Sequence, residues 1–152
     1  MVTNISNGAG IKALLFWLAL ATAVPISLAD EISPQGAEAT KIVDRLYQSS
    51  EGAAISCAQA PEKPAREFSD ALAHFQKTHP RLISLMRSSP SYESARLQFA
   101  KNFRFDASRD TPDQLTAQCR YFASLLNAMS DTPEGREAAK DFESKLEAAI
   151  QH

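Results

Sequence analysis

The sequence predicts an all-α protein, a compact bundle of five or six short helices with one disulfide, after a cleaved N-terminal signal peptide. Three observations lead there. Beyond residue 30 apolar residues recur at helical spacing, and no run alternates with period two over the length of a strand. A hydroxyl residue followed by proline comes before four such runs, at Ser33-Pro34, Ser89-Pro90, Thr111-Pro112 and Thr132-Pro133. The hydroxyl accepts from an orphan N–H at a helix start, and proline at the first helical position gives up an N–H that had no partner there. Finally, the chain has two cysteines, Cys57 and Cys119, behind a stretch with the features of an export signal.

That stretch begins with Lys12, the first charge in the chain. The apolar run from Ala13 to Val24 is shorter than the roughly 20 residues needed to cross a ~30 Å hydrocarbon core, and Pro25 ends it. Ser27 and Ala29 then supply small residues at the −3 and −1 positions before Asp30 and Glu31. Residues 1–29 therefore read as a secretory signal cut after Ala29, and residues 30–152 as a single helical domain without a transmembrane anchor. The expected compartment is the periplasm or the secreted space.

Within that domain the first helix is expected over Pro34–Ser49, with Ile42, Val43, Leu46 and Tyr47 inward and Gly52 breaking it. A short segment, Ala53–Gln59, carries Cys57, and residues 60–64 form a connector. The second helix spans Pro64–Thr78, where Phe68, Ala71, Leu72 and Phe75 make one apolar stripe. His79-Pro80 opens a short helix to Arg87 with Leu82, Ile83 and Met86 inward. The fourth helix, Pro90–Phe103, places Tyr92, Ala95, Phe99 and Phe103 on its core side. The fifth, Pro112–Met129, starts with Thr111 and Gln114 at capping-box spacing and continues with a seam of Leu115, Cys119, Phe122, Leu126 and Met129. The last, Pro133–Ile150, buries Ala139, Phe142, Leu146 and Ile150.

Export to an oxidising compartment turns an even cysteine count into a disulfide, and two cysteines allow one intramolecular pairing. A Cys57–Cys119 bond is expected to be buried, because Cys119 lies in an apolar seam. The spacing fits neither a Cys-x-x-Cys redox pair nor a common zinc site.

Charge is unevenly spread. The full chain has a net charge of −2. Arg81–Arg109 carries six basic and two acidic residues, between two acidic flanks. This basic middle serves either to complement the flanks internally or to meet an anionic partner. The weakly acidic whole argues against nucleic acid as that partner.

Signals for catalysis are sparse. Gly-x-Ser-x-Gly and Ser-x-x-Lys are absent, and five glycines, two of them ahead of Lys12, leave little for phosphate-cradling loops. Glu67, Asp70 and His74 share a helix face, but with Arg66 and Lys77, so the face reads as solvated surface rather than a metal site. No cofactor or metal is expected. The expected function is binding: a small exported protein that engages a protein partner as an inhibitor, an immunity-type neutraliser or a chaperone-like adaptor. The alternative is a helical carrier whose core opens for a lipid or other apolar ligand. The expected contact residues are Leu97, Lys101, Arg104, Phe105 and Arg109, apolar groups among basic ones outside the core stripe. For Phe105 the competing expectation is that it folds back as a lid over the end of its helix.

Overall fold

The computed structural model describes residues 33–151. The expected signal peptide and its cleavage position lie outside the described residues. The helices are α1 (Pro34–Tyr47), α2 (Ala53–Cys57), α3 (Glu62–Thr78), α4 (Pro80–Ser88), α5 (Tyr92–Asn102), α6 (Pro112–Asp131) and α7 (Pro133–Ile150). A π-helical turn, Gln48–Gly52, joins α1 to α2 without leaving the right-handed helical region, so the two form one rod and the described residues form six helices. No strand occurs among the described residues, and none of their helices is long and apolar enough to cross a membrane.

The helix starts follow the predicted chemistry at three places. Ser33 accepts from the Gly36 N–H at 3.1 Å, and Thr132 accepts from the Gly135 N–H at 3.0 Å. At α6 the capping box is complete: Thr111 Oγ1 accepts from the Gln114 N–H, and the Gln114 side chain accepts from the Thr111 N–H. Two starts differ. α3 begins at Glu62, with Pro64 in its first turn, where a missing N–H is still tolerated. α5 begins at Tyr92 rather than Pro90, because Ser89 spends its hydroxyl on Ser91.

Gly52 does not break the first helix. It has helical backbone angles and is buried, and a Cβ there would stand 2.7 Å from the Phe99 ring. The glycine is there to let Phe99 approach, a requirement set by a residue 47 positions away that local reading does not see. In the wider π turn, Ser49 donates to the Arg45 carbonyl at 2.8 Å and Ser50 donates to the Leu46 carbonyl, so serine hydroxyls serve backbone oxygens inside the rod.

α3 packs along α6 more extensively than any other pair, and α7 lies against α1, α4 and α6. Phe68, Phe75, Leu82, Met86, Leu115, Leu126 and Leu146 are fully buried between them. Each such side chain contributes about 1.5–3 kcal/mol by leaving water. The Cys57–Cys119 disulfide ties α2 to α6, with Cα atoms 5.7 Å apart and both residues buried, as expected. Two predicted core residues are not in the core. Phe103 is 46% exposed, since α5 ends at Asn102, and Ile150 is 41% exposed in the last turn of α7.

Candidate functional site

The sequence-predicted contact residues sit on α5 and the loop that follows it. Four contacts hold α5 in place. Phe99 fills the space over Gly52, and Tyr47 meets both Tyr92 and Phe99 edge-on at 5.6 and 5.9 Å. The Tyr92 hydroxyl donates to Glu51 Oε2 at 2.5 Å, while Arg87 binds the other oxygen of the same carboxylate at 2.6 Å. Glu51 comes from the π turn and its side chain is only 18% exposed, so the pairing is partly shielded from water. Donating this bond and being partly buried raise the Tyr92 pKa from 10 to about 12.

Beyond Asn102 the N–H groups of Phe103 and Arg104 both donate to the Phe99 carbonyl, which closes the helix and turns the chain. The Phe105 N–H then donates to Ser56 Oγ at 3.1 Å, and its half-buried ring packs against the core. Phe105 thus folds back as the lid, and Phe103 takes the outward position. The loop is tied locally. Asp106 accepts from the Ser108 hydroxyl and N–H, and these bonds hold its carboxyl below the usual range. Arg109 binds Asp110 and donates to the Arg104 carbonyl at 3.0 Å; the Arg109 guanidinium lowers the Asp110 carboxyl pKa in the same way.

An open groove of about 370 Å³ brings Lys101, Arg104, Phe105 and Arg109 together with Gln59 from the end of α2. Leu97 does not line it, but at 57% exposure it stands one turn before Lys101 on the outer side of α5. The six basic residues of the 81–109 segment divide into three pairs. Arg81 reaches Glu147 and Arg87 reaches Glu51, both at 2.6 Å, so these two complement the acidic flanks. Arg96 and Arg109 are paired locally, with Glu93 and Asp110. Lys101 and Arg104 make no ion pair among the described residues.

No family model, curated protein or solved structure matches the chain.

Sequence reasoning missed Gln59, Phe103 and the Glu51–Arg87–Tyr92 cluster. A signal for Phe103 existed: it precedes Arg104 at the point where the helical stripe of Tyr92, Ala95 and Phe99 runs out. Glu51 had none, because its partners lie 36 and 41 residues away. On the α3 face, His74 meets Asp131 of α6 at 2.8 Å and Glu67 approaches Arg120 at 3.6 Å, so groups weighed as metal ligands join the two helices.

Proposed function

We propose that the protein is an exported binding module of the periplasm or secreted space, which engages a protein partner of anionic surface through the outer face of α5 and the loop after it. It acts by binding rather than by catalysis. The observation that carries this reading is the pair Lys101 and Arg104. Of six basic residues in their segment, these two lack an ion pair among the described residues, and they stand beside the exposed Leu97. Cations left unpaired next to exposed apolar surface supply the steering and the anchor that an interface combines. The disulfide agrees with an oxidising compartment.

The test is affinity capture from the native cell envelope, with wild type and a Lys101→Glu/Arg104→Glu variant immobilised side by side. The variant is expected to lose the captured protein and the salt dependence of its association, and to melt with wild type, because no ion pair is broken. A variant that captures the same protein equally well, or that melts lower while its folded fraction binds unchanged, would refute the reading.

A further inference from the structure

A second concave surface lies away from α5. Where the C-terminal half of α1 and the π turn meet α6 and α7, an open groove of about 470 Å³ is walled by Tyr121, Phe122, Leu125, Met129 and Phe142. Other open grooves on the described surface have similar volumes, and this one differs in its aromatic and aliphatic wall; the space between helices of a bundle is a usual place for a small-molecule site. Arg45 and Phe142 also line an adjoining groove that contains Glu38, Lys41 and Lys145, so Arg45 stands where an apolar channel meets a charged one of net positive sign. Lys145 is occupied by Glu38 at 2.9 Å and Asp141 at 2.8 Å. Arg45 and Lys41 make no ion pair among the described residues. The π turn contributes Gln48 and Ser49 to the wall, and such turns recur at functional sites.

We infer that this groove binds a single-chain fatty acid, its acyl chain along the aromatic and aliphatic wall and its carboxylate on Arg45. The charge complementarity is local: the lining offers one guanidinium without an ion pair and no acidic side chain, and the Ser49 hydroxyl is spent on the Arg45 and Leu46 carbonyls. An acyl chain needs no hydrogen-bond partner along its length and one anion partner at its end. A peptide would bring an N–H and a C=O at every residue, and the Gln48 amide and Tyr121 hydroxyl are too few to serve them. The site keeps the expectation of an apolar ligand but moves it from an opened core to the surface. It is also independent of the α5 face, since none of Leu97, Lys101, Arg104, Phe105 and Arg109 lines it.

The test is calorimetric titration of the purified, oxidised protein with laurate below its micelle concentration, and with dodecanol as the uncharged counterpart. Arg45→Gln removes the anion partner. Ala138→Trp fills the groove from an exposed wall position without removing a core side chain. Laurate is expected to saturate one site and to weaken with salt. Arg45→Gln is expected to weaken laurate about fivefold or more and to leave dodecanol within about twofold. Ala138→Trp is expected to abolish both, with melting temperatures unchanged. The inference fails if laurate does not saturate, if binding survives Ala138→Trp, or if Arg45→Gln weakens the acid and the alcohol alike. Loss of laurate binding in the Lys101→Glu/Arg104→Glu variant would also overturn it, by moving the site to α5. The interaction proposed for α5 stands or falls separately, on capture of the protein partner.

Discussion

Gly135→Ala is expected to destabilise the domain, although alanine is the better helix former. α7 follows α6 after the single residue Thr132. The Thr132 N–H and hydroxyl both donate to the Ala128 carbonyl, at 3.1 and 2.8 Å, and the hydroxyl accepts from the Gly135 N–H. These bonds fold the first turn of α7 onto the last turn of α6. A Cβ at position 135 would lie 2.1 Å from the Ala128 oxygen and 2.6 Å from the Met129 Cα. A carbon–oxygen contact settles at about 3.3 Å or more, so the helices must separate by about 1 Å, and neither obstacle is the movable end of a side chain. Overpacking of this kind costs about 1–3 kcal/mol, and straining the Thr132 cap adds about 1 kcal/mol. The gain in helix propensity returns about 1 kcal/mol. The net loss is about 2 kcal/mol, or about 8 °C in melting temperature for a domain of this size. Thermal and urea unfolding followed by circular dichroism measures it, with Glu134→Ala, an exposed neighbour, as the control. A Gly135→Ala protein as stable as wild type, or more so, would refute the argument from close approach.

Reduction of Cys57–Cys119 releases a loop of 62 residues, worth about 4 kcal/mol in the chain-entropy model, and a melt with and without dithiothreitol reads the difference. Phe105→Ala is expected to cost about 1.5–3 kcal/mol and Phe103→Ala less than about 0.5 kcal/mol; equal costs in urea unfolding would place the two rings wrongly. Tyr92→Phe is expected to cost about 1–2 kcal/mol at neutral pH by removing the bond to Glu51. The folded tyrosine has the higher pKa, so its contribution is whole below pH 10 and fades as pH rises through about 12. Urea midpoints of wild type and variant should therefore converge over that window, and a constant gap would contradict the assignment.

The elements that could be read from the sequence are those whose causes lie within one or two helical turns. The Thr111–Gln114 capping box, the Ser33 and Thr132 caps, and the stripes Phe68–Ala71–Phe75 and Leu115–Cys119–Leu126 all follow from spacing, because a helix brings residues three and four apart onto one face whatever surrounds it. The pairing of Cys57 with Cys119 follows from a count of two. Of the candidate site, the run of cations around Lys101 and Arg104 was visible for the same local reason.

What only the tertiary structure decided are contacts between residues far apart in sequence. Gly52 looked like a helix breaker and is a seat for Phe99, and Phe103 and Phe105 exchanged places because Ser56 offers an acceptor to the Phe105 N–H. Whether Arg87 or Lys101 is neutralised depends on where acidic side chains of other helices arrive, and the groove beside Arg45 exists only because α1, α6 and α7 converge. Periodicity determines which face of a helix turns inward. Which partner meets that face, and which charges and apolar walls are left over, depends on how helices distant in sequence pack together.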